Sequence, residues 1–235
     1  MLAVRNLQAG YGRLQVLWDV SLEVSQGEFV ALIGSNGAGK TTILRAIAGV
    51  IQPFSGEVNF QGKILNKMPG YKICQTGLGY ITEELNLFEA MSVQDNLLLG
   101  AYPQRARKQT NRSLEKVFEL FPILGKRRKQ LAGTLSGGER RMLALGRGLM
   151  SDPNLLMVDE PSLGLAPRLV LSVFEALKAL HAQGVTILLV EQNVNHTLNI
   201  ADKAYVVEHG HIVLQGESSD LLQNDHLRRT YLGRR

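Results

Sequence analysis

The sequence predicts an α/β fold in which a mostly parallel sheet is covered by helices on both faces. Short, almost wholly apolar strands alternate with helical segments along much of the 235 residues, and this alternation is typical of such sheets. Within that pattern, a glycine-rich loop joins a strand to a helix, and a second apolar strand ends in two carboxylates. Hydrophobic residues make up 45% of the chain, which is enough to form a sizeable core.

The elements follow one another in three segments of a single predicted domain. Residues 1–91 begin with alternating, turn-rich strands and continue into the core with the strand "FVALI" and the helix "TILRAIAGV". Residues 92–148 have apolar residues at helical spacing in "SVQDNLLLGAY", "TNRSLEKVFELFPIL" and "GERRMLALGRGLM", which predicts an inserted helical lobe. Residues 149–235 resume the core with the strand "NLLMVDE", the helix "PRLVLSVFEALKALHAQ", the strand "VTILLVEQ" and a hairpin that turns at Glu208, His209 and Gly210.

Composition narrows the class of protein. The net charge of +5 permits acidic partners but selects none of them. Cys74 is the only cysteine, so no disulfide can form within one chain, which is typical of a reducing compartment. Because no stretch of the sequence reaches about 18 consecutive apolar residues, we expect no membrane-spanning helix.

The loop "GSNGAGKTT" fits the pattern G-x-x-x-x-G-K-[ST] and lies between an apolar strand and a helix, as that motif requires. Glycines let backbone N–H groups approach phosphate oxygens, and the helix N-terminus adds partial positive charge. Lys40 is placed to reach the β- and γ-phosphates, and the Thr41 hydroxyl to bind Mg²⁺. The predicted nucleotide-binding residues of the loop are Gly34, Ser35, Asn36, Gly37, Ala38, Gly39, Lys40, Thr41 and Thr42.

Two carboxylates follow the strand "LLMV". Asp159 is expected to hold Mg²⁺ through water, and Glu160 is suited to orient and polarise an attacking water. Alone, the pair would be interpreted as a solvated strand end. Beside a phosphate loop, it predicts that the chain hydrolyses the nucleotide.

A third motif, "LSGGE" at residues 135–139, opens a predicted helix, where a serine and two glycines form an anion site. The chain already has one complete phosphate loop, so the economical interpretation is that this site serves the nucleotide of another molecule; the alternative is an ordinary serine cap. In their order, the three motifs resemble the Walker A, Walker B and signature motifs of the ATP-binding cassette (ABC) ATPases, and the resemblance covers essentially the whole chain.

The resemblance implies a P-loop NTPase nucleotide-binding domain with a RecA-like core, an N-terminal antiparallel β lobe and an inserted helical lobe. It implies ATP and Mg²⁺, and a head-to-tail dimer in which Ser136, Gly137 and Gly138 of one cassette close on the γ-phosphate held by Lys40 of the other. Tyr11 matches the aromatic residue that stacks on adenine in this family; the alternative is a turn tyrosine packed on the core.

Two positions depart from the pattern of the family. Gln192, in "LLVEQN", stands where the family has a switch histidine that contacts the γ-phosphate, and it is the second predicted catalytic residue with Glu160. An amide donates a hydrogen bond but carries no charge, so we expect the rate to vary little around a pH of about 6.5, where a histidine titrates. Glu83 stands where a glutamine links Mg²⁺ to the helical lobe, which makes it a predicted metal ligand, with neighbouring Glu84 as its rival.

Glu83, "SLGLAP" and "LLVEQN" together resemble the LivF-type ATPases of branched-chain amino-acid importers. That resemblance implies a second ABC ATPase as dimer partner (a sister chain or a second copy), two membrane permeases and, through them, a periplasmic or extracellular solute-binding protein. It implies a peripheral protein at the cytoplasmic face of the inner (plasma) membrane, whose residues 83–88 and helical lobe face the permease. In that loop Leu85 and Asn86 replace two arginines that the group usually has.

Two alternatives remain open at this point. The first is the same importer architecture carrying urea, an amide or another small solute, since the ATPase does not touch the cargo. The second is an ABC ATPase that acts on nucleic acid or the ribosome. Such proteins usually carry two cassettes in one chain or a long coiled-coil insert, and this sequence has neither, so no nucleic-acid partner is expected.

Overall fold

The structure is a computed structural model that describes residues 1–231, so residues 232–235, the end of the predicted third segment, lie outside the described part. The strands are β1 (Leu2–Tyr11), β2 (Leu14–Val24), β3 (Phe29–Ile33), β4 (Ser55–Phe60), β5 (Lys63–Ile64), β6 (Leu78–Ile81), β7 (Leu155–Asp159), β8 (Thr186–Glu191), β9 (Lys203–Glu208) and β10 (His211–Glu217). The helices are α1 (Lys40–Ile47), α2 (Gly70–Thr76), α3 (Val93–Gly100), α4 (Gln104–Arg107), α5 (Thr110–Leu120), α6 (Pro122–Lys126), α7 (Gly137–Leu149), α8 (Pro167–Ala182), α9 (Val194–Leu198), α10 (Ser218–Leu221) and α11 (Asp225–Tyr231).

The strands form two sheets. An antiparallel sheet in the order β2-β1-β4-β5 makes the N-terminal lobe. The second sheet has the order β10-β9-β3-β8-β7-β6, and all its neighbouring strands run parallel except the β9–β10 hairpin. The predicted α/β class, the antiparallel lobe and the C-terminal hairpin are therefore confirmed.

The parallel sheet has a hydrophobic core on each face. Successive side chains of a strand point to opposite faces. Along β3, Val30 and Leu32 pack into the core shared with α1 and the N-terminal lobe, whereas Phe29, Ala31 and Ile33 pack into the core shared with α8 and the helical lobe. Burial on both faces explains why the central strands read as continuous apolar runs in the sequence.

The helical lobe comprises α3 to α7 and shares the second of these cores with the sheet. The sequence predicts one helix through "TNRSLEKVFELFPIL", but the structure has two, because Phe121 leaves the helical region with φ −125° and ψ 75°. Proline disfavours helical backbone at the residue before it and fits the first turn of a new helix, so Pro122 ends α5 and starts α6. Within residues 1–231, none of the helices has the length and apolar character needed to cross a bilayer.

The hydrophobic pattern does not predict helices α2, α4, α10 and α11 or strand β6. Helix α2 and strand β6 lie in a segment with no clear period, and only β6 matters for the site. It pairs in parallel with β7 and thereby places Tyr80 directly opposite Met157, two residues before the end of β7.

Candidate functional site

The phosphate loop has the strand–loop–helix context that the sequence predicts. β3 ends at Ile33 and α1 begins at Lys40. Two of its glycines are required by the backbone. A Cβ on Gly34, which has φ +154°, would collide with the main-chain oxygen of Val207, and Gly39 turns the chain into α1 with φ +108°.

Lys40 is buried and lies folded over its own loop. Its Nζ donates to the carbonyl oxygens of Gly34 at 3.0 Å and Ser35 at 2.9 Å. It also forms an ion pair with Glu160, with 3.3 Å between Nζ and Oε1. A predicted phosphate ligand and the predicted base are thus brought into direct contact, although they come from different parts of the chain.

Asp159 lies at the end of β7 with hydroxyl donors on both carboxylate oxygens. Thr41 Oγ1 donates to Oδ1 at 3.0 Å and the Tyr80 hydroxyl donates to Oδ2 at 3.0 Å. Burial raises the pKa of Asp159 to about 6, and the two hydrogen bonds oppose that rise. Burial also raises the pKa of Tyr80 well above its usual value, so Tyr80 stays a donor. Two of the three predicted metal ligands, Thr41 and Asp159, therefore touch.

Glu160 and Gln192 are in contact. Gln192 Nε2 donates to Glu160 Oε2, which leaves the carboxylate held by the amide on one oxygen and by Lys40 on the other. The sequence predicts Gln192 as a contact to the γ-phosphate. The structure places its amide on the predicted base, where it restricts the orientation of the carboxylate.

Tyr11 lies at the rim of the same site with its side chain partly exposed. Its hydroxyl accepts a hydrogen bond from Arg45 at 3.3 Å and lies 3.4 Å from Thr42 Oγ1. The ring borders a cavity of about 330 Å³ that also reaches Lys40. The lining residues are Tyr11, Leu14, Val16, Gly37, Ala38, Gly39, Lys40, Thr41, Thr42 and Glu160. An exposed aromatic face and a phosphate loop thus share one cavity, as nucleotide binding requires.

The two rival carboxylates at residues 83 and 84 have different surroundings. Glu84 is exposed and pairs with Arg45 at 3.1 Å. The charge of Glu83 contributes, after burial, to the raised pKa of Asp159, and its main-chain oxygen accepts from Arg141 at 3.0 Å. Because Glu83 affects Asp159 and Glu84 pairs with Arg45, Glu83 is favoured as the residue nearer the metal site. The role of Glu83 as a metal ligand stays a prediction.

The signature residues form the N-terminus of α7. Ser136 caps the helix: its Oγ accepts from Glu139 N at 3.4 Å, while Glu139 Oε2 accepts from Ser136 N at 2.9 Å. Ser136 and Gly137 are exposed, and Gly138 is buried against Leu169. Among the described residues, those lining the phosphate-loop cavity include none of the three signature residues.

Several side chains contact the predicted site residues although sequence reasoning gave them no role, and Arg45, which donates to Tyr11, is one of them. Tyr80 binds Asp159, Arg141 binds the main chain of residue 83, and Glu191 binds the main chain of Gln192 at 3.1 Å. The only signal for any of them is the run of polar residues that ends "ILLVEQN", which contains Glu191.

The chain is similar to known proteins of one family. Residues 17–163 match the ABC transporter family. The chain is 44% identical over 233 residues to the high-affinity branched-chain amino acid transport ATP-binding protein BraG of Pseudomonas aeruginosa, covering 99% of this chain and 100% of that protein. It is 35% identical to the probable branched-chain amino acid transport ATP-binding protein LivF of Archaeoglobus fulgidus, covering 99% of each. The fold matches the crystal structure of the ADP conformation of an ATP-binding cassette of an ABC transporter, with a TM-score of 0.84, 27% identity, and coverage of 100% of this chain and 99% of that one.

Proposed function

This chain belongs to the ABC transporter family, and from that premise we propose that it is the ATP-hydrolysing subunit that powers import of branched-chain amino acids through a membrane permease. The proposal that the chain hydrolyses ATP rests on one observation. Lys40 of the phosphate loop contacts Glu160 after β7, and Glu160 contacts Gln192 after β8. The names of the two relatives, each matched over nearly its whole length, support the choice of cargo.

Nucleotide binding rests on the cavity between Tyr11 and the phosphate loop. The adenine ring stacks on the exposed face of Tyr11, which Arg45 and Thr42 hold by the hydroxyl. The phosphates lie at the N-terminus of α1, where backbone N–H groups and Lys40 meet them. Lys40 exchanges its contact with Glu160 for the β- and γ-phosphate oxygens, since these carry more negative charge.

The residues at the end of β7 fit Mg²⁺. Mg²⁺ prefers hard oxygen ligands and usually takes one or two carboxylates together with phosphate oxygens and water. The Thr41 hydroxyl and the Asp159 carboxylate offer such oxygens beside the loop, with Glu83 as the predicted third ligand. Residues 1–231 contain no cluster of three acidic, His or Cys side chains that would hold a metal alone, which agrees with a site completed by phosphates. Bound there, the ion would neutralise charge on the transferring phosphoryl group.

Hydrolysis is assigned to Glu160, with Gln192 as its orienting partner. Once Lys40 has moved to the phosphates, the Glu160 carboxylate is free to accept a proton from the attacking water. General-base help of this kind contributes roughly 10²–10⁴-fold to the rate. Gln192 keeps one carboxylate oxygen fixed, so that the other faces the phosphate loop.

The signature end of α7 is assigned to a partner cassette. Ser136 and Gly137 are exposed at a helix N-terminus, which favours an anion. In a head-to-tail dimer with a second copy or a sister chain, these residues close on the γ-phosphate bound at Lys40 of the partner, and ATP then holds the two cassettes together.

The permease is assigned to a groove beside residues 83–88. It has a volume of about 360 Å³ and includes the exposed side chains of Phe88, Leu99 and Tyr102. Docking there makes the chain a peripheral protein at the cytoplasmic face of the membrane, and the permeases link it to a solute-binding protein on the other side.

The test is uptake in a strain of the native host that carries Glu160→Gln in place of the wild-type chain. We expect uptake of labelled leucine, isoleucine and valine to be lost, and uptake of urea and amides to be kept. Glu28→Gln is the control, because it makes the same change at a partly buried glutamate outside the site, whose carboxylate accepts the backbone N–H of Ser25 at 2.6 Å. Loss of urea or amide uptake instead would move the proposal to that cargo, and unchanged uptake of every solute would overturn the transport role.

A further inference from the structure

Glu191 joins two loops of the site through its carboxylate. It is the last residue of β8 and is 2% exposed. Its Oε1 accepts the N–H of Ser162 at 2.9 Å, and that residue lies 29 positions away in the loop after β7. Its Oε2 accepts the N–H groups of Gln192 at 3.1 Å and Asn193 at 3.5 Å. One buried side chain therefore binds both the loop that follows Glu160 and the loop that carries Gln192.

The chemistry of the contacts requires a carboxylate. All three partners are donors, and a carboxylate offers an acceptor on each of its two oxygens. Among the ion pairs of the described residues there is none that includes Glu191, and the donors to its carboxylate are backbone N–H groups. Burial lowers the pKa of Arg141, and the charge of Glu191 opposes that lowering.

The backbone at Glu160 needs such an anchor. Glu160 has φ +45°, a left-handed conformation that is uncommon for a residue with a Cβ, and it precedes Pro161, which disfavours helical backbone before it. Conformations of this kind persist only where the surroundings hold them. Glu160 N donates to Val190 O at 2.9 Å on one side, and Glu191 binds Ser162 on the other side of Pro161.

The loop after β7 is also held from its far side. Arg141 is buried on α7 and donates to Leu163 O at 2.8 Å and to Glu83 O at 3.0 Å. The stretch from Ser162 to Leu163 thus lies between Glu191 and Arg141, and its position determines where the Glu160 main chain points.

We propose that Glu191 is a positioning residue for hydrolysis: by binding Ser162 and Gln192 at once, it fixes the backbone of Glu160 and the amide that orients the Glu160 carboxylate. The inference rests on the proposed role of Glu160 as the base. It predicts an effect on turnover and none on nucleotide affinity, since Glu191 makes no contact with the phosphate loop among its described hydrogen bonds.

Two variants separate the contacts. Glu191→Gln keeps the size but has one acceptor oxygen, so one of the two loops faces an NH₂ group instead. Glu191→Asp keeps the charge and still reaches the N–H groups next to it in the chain, as short carboxylates do in Asx turns, but is one methylene too short for Ser162. For both we expect kcat to fall roughly 10- to 100-fold, because small misplacements of a catalytic group have effects of that size, with KM for ATP within about two-fold of wild type.

Coupling to Glu160 distinguishes positioning from general damage. If Glu191 acts through Glu160, then adding Glu191→Asp to Glu160→Gln lowers the residual rate no further. If the two substitutions act independently, their fold-reductions in rate multiply in the double variant. Glu28→Gln is again the matched control and should keep wild-type kcat.

Wild-type kcat in folded Glu191→Asp, a rise in KM alone, or multiplicative effects in the double variant would overturn the inference. If Glu160→Gln itself turned over at the wild-type rate, the proposed function of Glu160 would fail instead. Should Glu191→Gln not fold, Glu191→Asp decides alone.

Discussion

At the scale of single residues, the predicted base is held by contacts on both of its carboxylate oxygens. Lys40 neutralises Glu160 at 3.3 Å, and Gln192 donates to the other carboxylate oxygen. In the proposed mechanism, phosphate oxygens compete with Glu160 for the lysine, so that nucleotide binding releases the carboxylate. A glutamine at position 192 suits this arrangement, because its amide remains a donor at every pH, whereas a histidine would change its charge beside Glu160.

Gln192→His should therefore add a titration that the wild-type enzyme lacks at this position. The neighbouring Glu160 carboxylate stabilises the protonated imidazole, so kcat should acquire an inflection at or above a pH of about 6.5. The measurement is kcat at saturating Mg·ATP across the neutral range. Gln192→Ala, with neither a donor nor a titratable group, should lower kcat without an inflection. If Gln192→His matched the wild-type enzyme in both rate and profile, Gln192 would have no part in hydrolysis.

Asp159 predicts a pH dependence of stability in the protein free of metal and nucleotide. Burial raises its pKa from 3.8 to about 6, so the group favours folding fully below pH 3.8 and loses that contribution as the pH rises through 6. Near neutral pH the charged carboxylate costs roughly 3 kcal/mol. Asp159→Asn should then unfold at a higher denaturant concentration than the wild-type chain at neutral pH. The difference between the two unfolding midpoints should shrink as the pH is lowered into the acid range.

The control for this experiment is Asp220→Asn, because Asp220 is exposed at the start of α10. It should show no comparable gap at any pH. Equal stability of Asp159→Asn and wild type at neutral pH would contradict the buried-charge account of Asp159.

At the scale of elements, α7 serves several parts of the site at once. Its N-terminus presents Ser136, and one turn further Arg141 binds the main chain of residue 83. Near its end, Arg147 donates to the carbonyl oxygens of Leu85 at 2.6 Å and Asn86 at 2.7 Å, two residues with left-handed backbone. A rigid helix therefore connects the signature residues with the loop that we assign to the permease.

Ser136→Ala should separate the two roles of that serine. Loss of the cap costs about 1 kcal/mol of stability. The affinity of the isolated chain for ATP should stay within about two-fold of wild type, since Ser136 does not line the nucleotide cavity, while hydrolysis by the dimer falls at least about ten-fold because an oriented donor to the γ-phosphate is lost.

Ser92→Ala is the matched control for the cap. Ser92 caps α3 in the same way, accepting from Asp95 N at 3.1 Å, and lies in neither site. It should lose similar stability and keep full activity. Equal hydrolysis by the two variants would show that Ser136 is only a cap.

At the scale of the whole molecule, the parallel sheet brings the chemistry together. The strands β3, β7 and β8 are neighbours, so their carboxyl ends deliver the phosphate loop, Glu160 and Gln192 to one edge. The helical lobe shares a hydrophobic core with one face of this sheet. The groove beside residues 83–88 lies between these parts.

Phe88→Ala should weaken docking and leave chemistry intact. Phe88 is 53% exposed in the groove, and removal of a central aromatic contact typically lowers affinity by roughly 30-fold or more. The measurement is recovery of the permeases with the tagged chain from solubilised membranes, together with the ATPase rate of the isolated chain. Phe54→Ala is the control, because Phe54 is 48% exposed but does not line the groove. Equal recovery with both variants would exclude Phe88 from the interface.

The sequence by itself determined the α/β class, the order of the three motifs and most of the helices and strands. These features are local: buried strands are continuous apolar runs, helices repeat their apolar residues, and the phosphate loop needs glycine where the backbone is left-handed or crowded, as at Gly34 and Gly39. Even the break before Pro122 follows from a local rule, although the periodicity alone predicted one helix.

Only the tertiary structure decided which side chains meet. Tyr80 lies 79 residues from Asp159, and Glu191 lies 29 residues from Ser162. These contacts depend on the strand order β8-β7-β6, which places the ends of three strands side by side. The same order puts the Gln192 amide on Glu160, a contact that the sequence did not predict. Local patterns fix what each segment becomes, whereas the contacts of a site depend on how the segments pair, and pairing is a property of the whole chain.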